Sequence, residues 1–453
     1  MMRAVILAAG AGERMKDAAG SGHLPKPLLP LLGLPLIERA ILTAKKAGIT
    51  DFVIVTGYQG QKIKDFCRDG SRWGVTIDYA DNPRWPEGNA GSLLAALPFF
   101  DREERFLVLM ADHLLEPKLL TSFLDFLQEE KNGEAKAFLA VDRRLQSVYQ
   151  LEEATKVQVD EEGIIRLLGK NISDFNGVDC GCFCFSPAVL AELASAVEKG
   201  WGNLSQALSP VLDRGDLRAF QIGDCFWLDV DEPADLELAK KKLLSMLASP
   251  RDGVVARYFN RPLSLRLTSL LVSLPFKPNF YSAINGLMCL AASLLFALGF
   301  GFMGGILAQT ASIIDGVDGE VARLKYQETA FGAYFDSIID RYSDALLIGG
   351  MTAGLIFAQG GQQAALFPAF LALAASPLSM LSKEKMKNLT GKEYYPQEEG
   401  WLSYLPVNRD GRLAIIALGG IFNLEFIALW LLALMANLQV IYRLIKARGI
   451  LAS

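Results

Sequence analysis

Four aspartates, Asp315, Asp318, Asp336 and Asp340, stand within SIIDGVDGEVARL (312 to 324) and GAYFDSIIDR (332 to 341), in one of the most apolar stretches of a 453-residue chain. An isolated charge near a bilayer centre costs at least ~2.5 kcal/mol, so four unpaired carboxylates there are prohibitive. Asp315 and Asp318 are spaced to share one face of a helix, and so are Asp336 and Asp340. The turn between the two helices falls near residues 325 to 330. At about 1.5 Å per residue, both pairs then lie roughly 10–15 Å from it, at matched depth. Antiparallel neighbours bring the four acids together, with Gly316, Gly319 and Gly332 leaving room for close helix contact or a ligand. Arg323 and Arg341 cannot balance four anions, whereas divalent cations can. Oxygen ligands suit Mg²⁺, Mn²⁺ or Ca²⁺ rather than zinc.

The surrounding sequence predicts six spans of membrane length, near 280–300, 302–325, 330–357, 362–381, 410–423 and 425–444. The breaks GFGFMGG, FAQGGQQ and FNLEF carry no Lys or Arg. The opposite set carries Arg323 and Lys325, then Lys383, Lys385, Lys387 and Arg409, then Arg443, Lys446 and Arg448. That bias predicts a multi-pass protein of the cell membrane with both termini in the cytoplasm. Residues 246–279, where arginines interleave with Leu, Val and Phe, read as an amphipathic juxtamembrane linker. The transmembrane domain is then 280–453.

Residues 1–245 have a different character. AVILAAG, FVIVTGY, VTIDYA, RFLVLMAD and KAFLAVD are β-rich runs, the first four separated by amphipathic helical segments; KVQVD, CGCFCF, LRAFQI and a last helix from EPADL follow. This predicts an α/β domain with a Rossmann-like, mostly parallel sheet. The whole is an α/β domain fused to an all-α six-helix transmembrane domain. In CGCFC the period of two places Cys180, Cys182 and Cys184 on one face of a strand. With no CxxC pair and neither histidine near them in sequence, they read as buried apolar residues of a reducing compartment. The first apolar run is too short for a signal peptide, so this domain is expected in the cytoplasm. A formal net charge of −5, mixed in sign, argues against nucleic acid as a partner.

LAAGAGERM (7 to 15) follows the first strand. Gly10 and Gly12 let backbone N–H groups approach phosphates, Arg14 can hold one by a forked pair of hydrogen bonds, and PKPLLPLLGLPLI brings Lys26 close behind. LAAGxGxR followed by PKPL and Gly-x-Pro-Leu resembles the sugar-phosphate and alcohol-phosphate nucleotidyltransferases. The resemblance implies that Ala9, Gly10, Gly12 and Arg14 hold a nucleoside triphosphate. It also implies that Lys26 steadies the charge growing at the α-phosphorus. GNAGS (88 to 92) matches the base-binding segment through Gly88, Ala90, Gly91 and Ser92, with Asn89 in place of the usual Thr. Asp112 matches a metal-binding aspartate, and Asp229 or Asp231, in WLDVDEPADL, would complete the Mg²⁺ site. Strand-end acids of this kind also cap following helices. A phosphate monoester is already an anion, so such chemistry needs alignment and charge neutralisation rather than a general base.

DGVDGEVARL with GAYFDSIID resembles the signature of the CDP-alcohol phosphotransferases, which are six-helix membrane enzymes and usually homodimers. The resemblance implies metal at Asp315, Asp318, Asp336 and Asp340, nucleotide contacts at Gly319, Ala322 and Arg323, and Asp340 as the base that takes the acceptor hydroxyl proton. Together the two halves resemble fusions of successive enzymes. The expected reaction makes CDP-inositol from CTP and inositol 1-phosphate, with Mg²⁺ or Mn²⁺ at both sites. The phosphoinositol group then passes to a second inositol 1-phosphate, releasing CMP. A phosphorylated acceptor needs cations, and Lys383, Lys385, Arg409, Arg412 and Arg443 are the candidates. The alternative is another alcohol phosphate, phosphocholine or phosphoethanolamine, passed to a lipid acceptor. A transporter would show repeated halves and interrupted helices, but here the buried acids cluster in one hairpin.

Overall fold

The computed structural model describes residues 2–15, 24–101, 104–130, 136–248, 252–391, 399–400, 402 and 405–451. The chain divides into two units, Met1–Lys241 and Lys242–Ser453.

In the first unit the chief elements are β1 Ala4–Ala8, α1 Leu36–Lys46, β2 Asp51–Thr56, α2 Gly60–Cys67, β3 Thr76–Asp81, α3 Asn89–Ala95 and β4 Phe106–Met110. There follow β5 His113–Leu115, α4 Pro117–Glu129, β6 Ala137–Asp142, β7 Lys156–Val159, β8 Ile165–Gly169, β9 Gly177–Phe185, α5 Pro187–Glu198, β10 Leu217–Gln221, β11 Trp227–Asp229 and α6 Pro233–Ser245. The main sheet runs β8-β7-β9-β4-β1-β2-β3, with β6 paired to β9 and β10 to β6. Its first four strands are parallel. Beyond them it is mixed, because β9 runs antiparallel to β4, β6 and β7. The short turn from β7 to β8 likewise permits only an antiparallel pair.

Strand alternation divides the core between two faces. Ile6, Phe52, Ile54, Leu107, Leu109 and the thiols of Cys180, Cys182 and Cys184 join one cluster, packed by α1 and α4. Val5, Leu7, Val53, Val55, Phe106, Val108, Phe183 and Phe185 join the other, packed by α3 and α5. Burial on both faces is why β1 and β4 read as unbroken apolar runs. All six cysteines are buried and free. Since β2 and β3 lie on one side of β1 and β4 on the other, strand order reverses between β1 and β4. Sheets of this kind bind ligands outside the C-terminal strand ends at such a reversal. The 9–15 loop and Asp112 both leave the sheet there.

The second unit holds α7 Arg261–Leu271, α8 Pro278–Ala297, α9 Gly301–Leu324, α10 Ala330–Ala353, α11 Leu366–Thr390, α12 Arg409–Ile421 and α13 Glu425–Leu451. Phe296, Ala308, Met351, Ala372, Ile416 and Leu432 meet in its core. Close approach of α8 and α10 depends on glycine. A Cβ on Gly350 would stand 2.3 Å from the Ser293 carbonyl oxygen, and one on Gly354 2.2 Å from that of Phe296. Against six expected spans, three helices among the described residues are long and apolar enough to cross a membrane: Pro278–Ala297, Gln363–Thr390 and Glu425–Gly449. The helices α9 and α10 carry the acids, and α12 has only 13 residues, about 20 Å of helix. Part of the expected linker forms α7, while 249–251 lie outside the described residues. Leu270 of α7 is exposed. Arg261 turns inward, its Nη1 2.5 Å from Glu320 Oε1 and its Nη2 2.6 Å from Asp252 Oδ1.

Candidate active sites

At the end of β1 the chain turns through Gly12 at φ +59°, where a Cβ would lie 2.5 Å from Lys26 Cβ. Gly12 thus admits the lysine stem, while the Cα of Gly10 faces open space. Lys26 is buried. Its Nζ donates to Asp112 Oδ2 and to Asp231 Oδ1, each at 2.5 Å. Arg14 Nη1 lies 2.9 Å from Glu153 Oε2 and 3.6 Å from Asp231 Oδ2.

The antiparallel ribbon of β5 and β11 sets Asp229 opposite His113. His113 Nδ1 lies 3.1 Å from Asp112 Oδ1 and 3.5 Å from Asp229 Oδ1. Asp112, His113 and Asp229 each offer a donor atom, all within 4.8 Å of one another. Asp229 Oδ1 is buried and accepts no hydrogen bond. Two carboxylates with such an unfilled oxygen suit a hard divalent cation. Asp231 faces Lys26 and Arg14 instead. The cap at the start of α6 comes from Asp235, whose Oδ2 accepts from the N–H groups of Asp231 and Glu232 at 2.9 and 2.7 Å.

The electrostatics follow from this packing. Burial disfavours the Lys26 ammonium, but Asp112, Asp231 and Asp229 outweigh it and raise its pKa. Burial likewise opposes the His113 imidazolium, yet Asp229 and Asp112 raise it to about 9. Burial pushes Asp229 up to about 6, whereas Lys26 and His113 overcome burial at Asp112 and hold it low. Sequence reasoning did not single out His113. Although distant from the cysteine run in sequence, its ring packs on Gly181 (φ +71°), where a Cβ would stand 2.3 Å away. Trp227 stacks beside it with ring centres 6.3 Å apart, and Trp227 Nε1 donates to Asp142 at 3.0 Å.

The GNAGS segment opens α3. Ala90 is buried and its N–H donates to the Gly202 carbonyl at 2.9 Å. Ser92 Oγ accepts from Asn82 at 3.0 Å. Asn89 Oδ1 accepts from Leu204 N–H at 2.7 Å, so the Asn in place of Thr ties this segment to the 202–204 turn. Gly88 (φ +126°) abuts Gly202, where a Cβ would lie 2.2 Å from the carbonyl oxygen. Gly91 keeps an open side, with Asn82 Nδ2 the nearest group at 3.9 Å.

In the second unit, Asp315 of α9 and Asp336 and Asp340 of α10 offer carboxylate oxygens within 4.8 Å of one another. Asp318 lies against Asp336 and accepts from the Ser282 hydroxyl at 2.5 Å. Asn285 Nδ2 donates to Asp315 Oδ1 at 2.6 Å. Helix α8 therefore braces both α9 acids through residues that carry no motif. Gly319, Ala322 and Arg323 continue along α9. Arg323 folds back, its Nη1 3.2 Å from where a Gly319 Cβ would stand. Arg409 was expected only to face an acceptor phosphate. It also enters the cluster, paired with Asp315 and lying 3.0 Å from Asp340 Oδ1. Arg341 is 3.9 Å from Asp340.

Beside Asp340 is a cavity of about 250 Å³. Its cationic lining is Arg341, Lys383, Arg409, Arg412 and Arg443, with Asp340 and Glu384 as the acids. Four of the five expected acceptor cations are thus gathered, and Arg341 joins them. Lys385 is exposed and does not line the cavity.

Residues 3–246 match the nucleotidyl transferase family, and residues 276–435 match the CDP-alcohol phosphatidyltransferase family. The chain is 34% identical to the bifunctional IPC transferase and DIPP synthase of Rubrobacter xylanophilus, over 98% of this chain and 96% of that one. To the protein of the same name from Aquifex aeolicus it is 33% identical, over 98% and 99% of the two chains. The solved structure of the inositol-1-phosphate CTP transferase from T. maritima is 28% identical, covers 53% of this chain and 96% of its own, and has a TM-score of 0.45.

Proposed function

The chain belongs to the bifunctional IPC transferase and DIPP synthase family, and from that membership we propose that its two sites act in succession on one activated alcohol. Site one joins CTP and inositol 1-phosphate into CDP-inositol. Site two transfers the phosphoinositol group to a second inositol 1-phosphate and releases CMP, giving phosphorylated di-inositol phosphate. We further assign residues 1–245 to the first activity, 246–279 to a juxtamembrane linker and 280–453 to the second. The protein is a multi-pass homodimer in the lipid bilayer, its N-terminal domain and C-terminus in the cytoplasm.

In the first step a phosphate oxygen of inositol 1-phosphate attacks the α-phosphorus of CTP, and the bond to pyrophosphate breaks. Arg14 and the backbone from Ala9 to Gly12 hold the triphosphate, and Lys26 offsets the charge that grows on the α-phosphoryl oxygens. In the second step Asp340 takes the proton of the acceptor hydroxyl. That oxygen attacks the inositol-bearing phosphorus of CDP-inositol, and the bond to CMP breaks. Mg²⁺ is the proposed ion at both sites, held by Asp112 and Asp229 and by Asp315, Asp318, Asp336 and Asp340. When bound, it supplies neutralising charge at the reacting phosphoryl groups.

The observation that carries this reading is the cation-lined cavity at Asp340. A dianionic acceptor such as inositol 1-phosphate suits five cations, whereas a lipid alcohol calls for an apolar opening. Purified protein with CTP and Mg²⁺ is the test, run with a panel of alcohol phosphates. Inositol 1-phosphate should release pyrophosphate and then CMP. Turnover of phosphocholine or phosphoethanolamine, with none of inositol 1-phosphate, would overturn the assignment.

A further inference from the structure

Asp344 stands one helical turn beyond Asp340 on α10, and neither step above uses it. It is 2% exposed. Its Oδ2 accepts from Arg412 Nη2 at 2.9 Å and from the Ser376 hydroxyl at 2.6 Å. Arg341 Nη1 lies 3.4 Å from the same oxygen, and also donates to Ser376 Oγ at 3.1 Å. Three helices thus converge on one buried carboxylate: α10 with Arg341, α11 with Ser376, and α12 with Arg412.

Both arginines line the cavity beside Asp340. The Nε of each is buried and has no hydrogen-bond partner. Two guanidinium groups this close repel unless an anion sits between them. A guanidinium is also a planar fork, so fixing one of its nitrogens sets where the others point. The Asp344 carboxylate does both. Arg443, which also lines the cavity, is held in the same manner: its Nε donates at 2.6 Å to Glu399, itself fully buried.

We propose that Asp344 is a positioning residue for the acceptor phosphate, holding Arg341 and Arg412 so that their remaining N–H groups converge on the cavity. The proposal rests on reading that cavity as the acceptor site. A role confined to neutralising buried arginines predicts something else: weaker folding and a general loss of turnover, without a selective effect on the acceptor.

The assay supplies CDP-inositol and inositol 1-phosphate to the full chain in detergent with Mg²⁺ and no CTP, and reads CMP release. For Asp344→Asn the KM for inositol 1-phosphate should rise about 10- to 100-fold, as when a residue orienting a binding group is lost. The kcat and the KM for CDP-inositol should stay near those of the unaltered protein. Ser376→Ala should raise the same acceptor KM by less. A folded Asp344→Asn protein with unchanged acceptor KM overturns the proposal, and so does a fall in kcat alone. If Asp344→Asn does not fold, Ser376→Ala decides: a raised acceptor KM supports the role and an unchanged one ends it. If the unaltered protein ignores inositol 1-phosphate but uses an unphosphorylated or lipid alcohol, the acceptor reading itself fails and takes this inference with it.

Discussion

Gly181 has no Cβ, and its φ of +71° puts it in a region that other residues enter only with strain. The His113 ring occupies the space a side chain would need. In Gly181→Ala two costs add: the backbone alone costs about 1–3 kcal/mol, and the ring must also move. The expected outcome is a lower melting temperature for the first unit and reduced pyrophosphate release. CMP release from supplied CDP-inositol should be unchanged. Normal pyrophosphate kinetics in Gly181→Ala would mean that His113 has no bearing on the site. Residues of this kind were not legible in the sequence. LAAGAGER and the paired aspartates are local patterns whose spacing carries their chemistry. His113 and Asp344 acquire theirs only from strands and helices that arrive from elsewhere in the chain, and so does the pairing of Arg409, named in the sequence as an acceptor cation, with Asp315. Asp229 and Asp231 show the same limit. Both stand in one acidic run, and only the pairing of β11 with β5 sets one beside Asp112 and turns the other to Lys26.

Among the elements, α9 and α10 were the most legible, because their acids fall at helical spacing on either side of a short turn. Their support by α8 was not. Ser282 and Asn285 reach Asp318 and Asp315 from a helix whose sequence announces only hydrophobicity. The fit of α8 against α10 rests on Gly350 and Gly354, where backbone carbonyls fill the place of a side chain. Gly350→Val should therefore push the helices apart. Overpacking of this sort costs about 1–3 kcal/mol, and it would displace the residues that brace the acids. CMP release should fall while pyrophosphate release persists, and wild-type rates of both would show that this helix contact does not support the site. The sheet was legible in its first four strands, each joined to the next by a helical crossover. The antiparallel course of β9 was not, since direction is set by tertiary pairing and not by the alternation of CGCFC. The difference between six expected spans and three helices of sufficient apolar length among the described residues has a similar cause. Helices that turn acids inward and a helix of 13 residues lack the apolar length that marks a span.

At the scale of the whole molecule, two acidic clusters on one chain make sense if, as proposed, one site consumes what the other produces. On that proposal each site depends on its own acids, so each can be silenced separately. Asp112→Ala should abolish CDP-inositol formation and leave CMP release from supplied CDP-inositol intact. Asp340→Ala should do the reverse, since loss of a general base lowers its step about 10²- to 10⁴-fold. The most direct measurement is a time course of pyrophosphate, CDP-inositol and CMP from Asp340→Ala protein given CTP, Mg²⁺ and inositol 1-phosphate. Pyrophosphate should appear at the wild-type rate, CDP-inositol should accumulate in equal amount, and CMP should stay near background until Asp112→Ala protein is added. CMP release by the Asp340→Ala protein alone at the wild-type rate would contradict the account.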